Sequence, residues 1–130
     1  MSAFLHAAWS GDTGALVRLM GSVDIECTTA TGSTALLVAS RIGNLDAVRV
    51  LVEAGANVEA RNAGGNTPLG AAAGFGHVAC ARVLIEEGNA NVDAIDNRQA
   101  TPLIKAARFG HVEVVALLVE HGADASMQDG

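Results

Sequence analysis

At 130 residues the chain fits one domain, and folding at this size buries roughly two thirds of the surface an unfolded chain exposes, so neither metal nor disulfide is needed to hold it. Half of the residues are hydrophobic but only 3% are aromatic, which asks for a core of Ala, Val, Leu and Ile in close-packed helices and argues against an all-β sandwich. The net charge of −6 argues against general attraction to nucleic acid or anionic lipid.

The first residues, "MSAFLHAAWSGD", place no basic segment before their apolar positions and contain no apolar run long enough for a signal core. No stretch of the chain approaches the about eighteen apolar residues of a membrane span. Cys27 and Cys80 are 53 residues apart, outside any zinc or CxxC spacing. The expectation is a soluble protein of a reducing, cytoplasmic compartment, with no cofactor and no metal.

The elements repeat along the chain. A degenerate first unit, "FLHAAWSGDTGALVRLMGSVDIEC", is followed by "TGSTALLVASRIGN" from Thr31, "GGNTPLGAAAGFGH" from Gly64 and "RQATPLIKAARFGH" from Arg98. Thr34 to Thr67 spans 33 residues and Thr67 to Thr101 spans 34, one extra residue falling near Asn89. The second halves recur as "LVEAGANVEA", "LIEEGNANVDA" and "LVEHGADASM". Unit boundaries are expected at 1–28, 29–61, 62–95 and 96–128, with residues 129–130 starting a further hairpin.

Each unit has a local logic. Thr67 is suited to cap a helix with its hydroxyl, and Pro68 at the first helical position has its φ already set. The helix runs to about Gly74, Gly76 breaks it, a second begins near Val78 and Gly88 stops that one. Apolar quartets at helical spacing follow: Ala15/Leu16/Leu19/Met20, Ala47/Val48/Leu51/Val52, Cys80/Ala81/Leu84/Ile85 and Val114/Val115/Leu118/Val119. Such short pairs do not bury their faces alone; stacked, they share a continuous core.

The glycines of "GGNTPLGAAAGFGH" do not form a phosphate cradle. A Walker loop needs Lys and Ser or Thr after its second glycine, where Ala71 and Ala72 stand, and GxGxxG fails at Ala79. Instead the 33-residue period, the "TPLxxAA" start and the "GH…LLxxGA" ending resemble the ankyrin repeat. The resemblance covers Phe4 to Gly130. It implies an all-α solenoid of four ankyrin-like units, each two antiparallel helices joined to the next unit by a β-hairpin loop, and a non-catalytic protein-protein interaction scaffold. The family's histidine after Thr-Pro-Leu is replaced by Leu37, Gly70 and Ile104, so a local hydrogen bond of the family is expected to be missing. Its hairpin asparagine, a hydroxylation target in the family, is replaced by Glu26, Glu59, Asp93 and Ser126.

Other constellations have plain explanations. His77 and Cys80 at i, i+3 make only two possible metal ligands, and Cys80 holds the place of Ala47 and Val114 in the quartets. Asp12, Asn44, His77 and His111 stand at equivalent helix starts, where they are expected to satisfy free amides. Nothing among His6, Cys27 and the acidic residues suggests converging nucleophile, base and orienter.

In the ankyrin family the second helices form a convex back. Here they carry Asp12, Asp46, Glu53, Glu86, Glu87, Glu113 and Glu120 against Arg18, Arg49 and Arg82. First helices and hairpin tips, which line the concave side in the family, carry Arg41, Arg61, Arg98, Lys105 and Arg108 beside Asp96 and Asp129. A locally basic groove on an acidic protein is expected to steer an acidic segment of a protein partner. Ile42, Phe75 and Phe109 recur at one position, with Trp9 one residue earlier. They either pack partly under the next helix pair or form a ladder of binding anchors. Gly70 and Gly74, each costing ~1 kcal/mol inside a helix, suggest a floor of bare backbone beside Phe75 that a partner approaches closely. The candidate partner-binding residues are therefore Trp9, Arg41, Ile42, Arg61, Asn66, Gly70, Gly74, Phe75, Arg98, Lys105, Arg108 and Phe109. A stoichiometric inhibitor or adaptor of an enzyme is the nearest alternative, and an anionic-ligand or enzymatic role of the basic groove is the alternative of another class. The last unit keeps an internal-type apolar face and "MQDG" begins another hairpin, which predicts further repeats or self-association at that end.

Overall fold

Four hydroxyl residues open the four units. In the computed structural model, which describes residues 2–126, Ser2 Oγ accepts from the Leu5 amide at 3.2 Å, Thr34 Oγ1 from Leu37 at 3.3 Å, Thr67 Oγ1 from Gly70 at 3.1 Å and Thr101 Oγ1 from Ile104 at 3.1 Å. Each closes an N-terminal amide that the helix itself leaves open, a contribution of about 1 kcal/mol per cap. Pro68 and Pro102 follow at the first helical position.

The helices so started are α1 (Ala3–Ser10), α3 (Ala35–Ile42), α5 (Pro68–Gly74) and α7 (Pro102–Arg108), and each is followed by a partner: α2 (Thr13–Leu19), α4 (Leu45–Glu53), α6 (Val78–Glu86) and α8 (Val112–Glu120). Within each unit the two helices pack on one another. Between units α1, α3, α5 and α7 form one row and α2, α4, α6 and α8 a second. The core runs between the rows, built from Phe4, Leu16, Leu36, Val48, Leu51, Leu69, Leu84, Val114, Leu118 and buried alanines. Small side chains let helices of seven to nine residues approach closely, which the near absence of aromatics anticipates.

The linkers keep the turn of the expected hairpin loops without its extended legs. Among the described residues there is no strand, only an isolated antiparallel bridge between Thr28 and Thr34. Each tip closes with a backbone bond, Thr29 to Ser33, Asn62 to Asn66 and Asp96 to Ala100. The remaining amides are taken by side chains: Asn62 Oδ1 accepts from Gly64 and Asn66, and Asp96 Oδ1 from Arg98 and Ala100. Such local bonds compete with ladder pairing and win here.

Acidic residues join unit to unit. Glu26 Oε2 accepts the Asn57 amide at 2.9 Å, Glu59 Oε2 the Asn91 amide at 2.7 Å and Asp93 Oδ1 the Asp124 amide at 2.9 Å. These carboxylates stand where the resembled family carries asparagine, so the departure has a mechanical use as a repeating rung. Among the described residues Ser126, at the fourth such place, bonds within its own loop, to Asp124.

Two details of the helix ends depart from expectation. Gly88 does not itself turn the chain: α6 ends at Glu86, and the left-handed position falls on the extra residue, Asn89, at φ 56°. Gly88 is instead a place of close approach, where a Cβ would lie 2.8 Å from the Leu84 carbonyl oxygen and 2.9 Å from Val58 Cγ1. In the last quartet Val114 and Leu118 are buried, but Val119 is 53% exposed, as is Val112 at 76%. No further helix pair covers that side of α8 among the described residues. Residues 127–130, including Asp129 and the expected start of another hairpin, lie outside the described residues.

Candidate partner-binding face

The row of first helices and the loop tips enclose a hollow of about 890 Å³ between the second, third and fourth helix pairs. Its lining includes Arg41, Asn66, Gly70, Gly74, Phe75, Arg98, Lys105, Arg108 and Phe109, nine of the residues expected on this face. A smaller hollow of about 220 Å³ between the first two pairs is lined by Trp9, Arg41 and Ile42 with Thr29, Thr31 and Leu37. Arg61 lines neither. Its Nη1 donates to the Ile95 carbonyl at 2.6 Å, tying one linker to the next.

The recurring apolar residues are covered only in part. Phe75 and Phe109 are each 60% exposed, Trp9 51% and Ile42 37%. Each stands at or next to a helix end: Phe75 and Phe109 are the C-terminal caps of α5 and α7, and a glycine at positive φ follows each. Trp9 stacks on His6 with ring centroids 6.0 Å apart. The Arg41 guanidinium lies 5.9 Å from the centre of the Phe75 ring, within the range of a cation–π contact, worth about 0.5–1 kcal/mol at an exposed site.

Lys105 behaves differently from the other basic residues of this face. It is only 9% exposed, with Nζ 3.1 Å from Asp96 Oδ2 and hydrogen-bonded to Asn66 Oδ1. Its stem crosses α5 along Gly70 and Gly74. A Cβ on Gly70 would sit 3.2 Å from Nζ, and one on Gly74 would sit 3.9 Å from Lys105 Cβ and Cδ. The floor beside Phe75 is thus covered by a lysine from the following unit, not bare, and Gly70 is buried. Gly70 leaves room for the head of that lysine, whereas a methyl group on Gly74 would only touch its stem.

Asp96 is held at three points. Burial raises its pKa, but the amides of Ala100 and Arg98, together with the hydrogen bond and charge of Lys105, outweigh this and hold the carboxyl below the usual carboxylate range. Both side chains of the pair are 11% exposed, so the charge of Lys105 is largely answered inside the protein.

The helix-start residues also act between units. Asp12 caps α2 through Ala15 at 3.0 Å, but Asn44, His77 and His111 make no capping bond. Asn44 Nδ2 donates to the Ala8 and Trp9 carbonyls, His77 Nε2 to the Arg41 carbonyl at 2.9 Å and His111 Nε2 to the Gly74 carbonyl at 3.0 Å. They satisfy the open C-terminal carbonyls of the preceding first helix, not amides of their own. The ring of His77 lies so close to Gly43 that a Cβ there would be 2.5 Å from Nδ1, and His111 meets Gly76 the same way. Positive φ accounts for the recurring glycine in all four units, and at Gly43 and Gly76 the ring contact adds to it. Cys80 is buried, which pushes its thiol up to about 11.

On the opposite face, which is richer in acidic residues, two arginines meet glutamates. Arg82 Nη1 is 2.9 Å from Glu86 Oε2, which also meets His121 Nε2 at 3.1 Å, and Arg49 Nε is 4.0 Å from Glu87. Among the described residues, no group of three or more His, Cys, Asp or Glu residues is placed to hold a metal ion. No described helix is long and apolar enough to cross a membrane.

Comparison with curated proteins gives no match. A family model described as ankyrin repeats (3 copies) matches residues 4–94 and, overlapping them, 54–129. The capped first helices, the shorter-range return of each second helix and the side-by-side stacking agree with that match, and the chain belongs to the ankyrin repeat family.

Proposed function

We propose that the protein is a non-catalytic scaffold that binds a protein partner along the face of its first helices and loop tips, by way of an acidic segment of that partner. Ankyrin repeats are generally protein–protein interaction modules and are typically non-catalytic. The observation that carries the proposal is the exposure of Phe75 and Phe109 in a hollow that also presents Arg41, Arg98 and Arg108. Rings left in water beside guanidinium groups are the residue mix in which interface energy concentrates. Two unpaired cysteines, Cys27 and Cys80, support a reducing, cytoplasmic setting.

The test is affinity capture with the intact chain and with a Phe75→Ala/Arg108→Glu double variant, followed by mass spectrometry. Partners held by the chain and lost by the variant, at matched thermal stability, support the assignment. Identical captures would remove the face from consideration.

A further inference from the structure

The larger hollow specifies more than protein binding at large. Phe75 and Phe109 stand in successive units, each 60% exposed, with Leu37 and Ala71 adding apolar lining between the helices. Asp96 is the one carboxylate among the described lining residues, and it is turned inward, taking two amides on Oδ1 and Lys105 on Oδ2. The ammonium of Lys105 is occupied in the same contact. What the hollow presents outward in charge comes from Arg41, Arg98 and Arg108, all exposed. This stands against a whole-chain charge of −6 and a back face where Arg49 and Arg82 meet glutamates.

We infer that this hollow docks a short acidic peptide segment with one large apolar side chain seated between Phe75 and Phe109 and carboxylates on both flanks, paired to Arg41 on one side and to Arg98 and Arg108 on the other. The inference rests on the scaffold reading above, acidic segment included, and adds the apolar anchor and the pattern of charge around it. Among the described lining residues a basic segment would find a single carboxylate, already bonded three times. A neutral apolar segment would bring no charge to meet Arg41 and Arg98 as they lose water, which costs more than the rings return. Rings beside arginines also make a stacking platform for single-stranded nucleic acid. That ligand brings a charge at every nucleotide, and three arginines on an acidic body match a few carboxylates better than a continuous polyanion.

The experiment selects randomised short peptides on the intact chain and reads the sequences enriched. Peptides with a large apolar residue between acidic ones are expected. Their affinity should fall about thirtyfold for Phe75→Ala, an anchor residue, and about tenfold for Arg41→Glu. It should stay unchanged for Arg82→Gln on the back and weaken in about 0.5 M salt, well above the ~0.15 M at which the Debye length is already about 8 Å. Neutral or basic peptides that still depend on Phe75 would overturn the inference together with the acidic segment, and leave the binding face and the scaffold role in place. Peptides that bind the Phe75→Ala/Arg108→Glu variant as well as the parent would overturn both. The absence of any enriched peptide, or tighter binding of oligothymidine than of the selected peptides, would also overturn the inference.

Discussion

Replacing Asp96 should cost far more than replacing Lys105, although the two form one ion pair. Asp96→Ala removes the acceptor of three bonds: from Arg98 at 2.8 Å, from Ala100 at 3.0 Å and from Lys105 Nζ at 3.1 Å. Ala100 is 1% exposed, so its amide is left without water, at about 1–3 kcal/mol. Lys105, 9% exposed, keeps only Asn66 as partner, and orphaning a buried charge costs about 3–5 kcal/mol. These penalties overlap through a shared site, and the residual exposure of the pair lowers the second, so about 4 kcal/mol is expected. Lys105→Met keeps the stem on Gly70 and Gly74, and Asp96 retains both amides, so about 1 kcal/mol is expected. For a chain between the small and medium size classes, 1 kcal/mol moves Tm by about 4 °C, so the two variants should differ by about 12 °C. Urea unfolding followed by circular dichroism measures both. The double variant should be less damaged than Asp96→Ala alone, because no cation is left stranded. Equal losses from the two single variants, or an Asp96→Ala loss under about 1 kcal/mol, would refute the idea that the carboxylate organises this contact between the third and fourth units.

Gly74→Ala should stabilise the chain by up to about 1 kcal/mol, since a helical glycine gains from a methyl group and the nearest atoms are at 3.9 Å; Gly70→Ala should gain less or lose, because its methyl group meets the tethered Lys105 Nζ at 3.2 Å. Thermal melts of both distinguish this from a glycine pair kept for partner approach. Gly43→Ala should destabilise by about 2 kcal/mol or more, combining a strained positive φ with a 2.5 Å approach to the His77 ring, and pairing it with His77→Ala should recover part of the loss in a double-variant cycle. Asp96 has a folded pKa below its ordinary value near 3.8, so its stabilisation is present above that value and is lost as pH falls through the folded pKa; the urea midpoint of Asp96→Asn should show a smaller acid-dependent drop. Cys80 has a folded pKa raised from 9.0 to about 11, so its contribution is present below 9.0 and is lost as pH rises towards 11. A thiol reagent at neutral pH should label Cys27, which is only partly buried, well before the buried Cys80; equal rates would contradict the packing around α6.

The repeat period, the helix starts and the paired-helix architecture are legible in the sequence because they rest on contacts within a turn or two. Thr67 and Thr101 cap amides three residues on, and Pro68 and Pro102 begin helices by their fixed φ. The 33-residue spacing then aligns the apolar faces that stacking buries. Basic and aromatic residues of the first helices were legible in the same way, because equivalent positions in successive units fall on one face.

Contacts between units were decided only by tertiary structure. His77, His111 and Lys105 find their partners 36, 37 and 39 residues away, and nothing in the local pattern says whether a histidine at a helix start serves its own helix or its neighbour. Lys105 reads along the chain as one more groove cation. Only the approach of α7 to α5 shows that it is paired and that its head lies tight against Gly70. The same limit applies to the rings: a phenylalanine at a helix end is an equal candidate for core and surface until the distance between neighbouring units sets whether anything covers it.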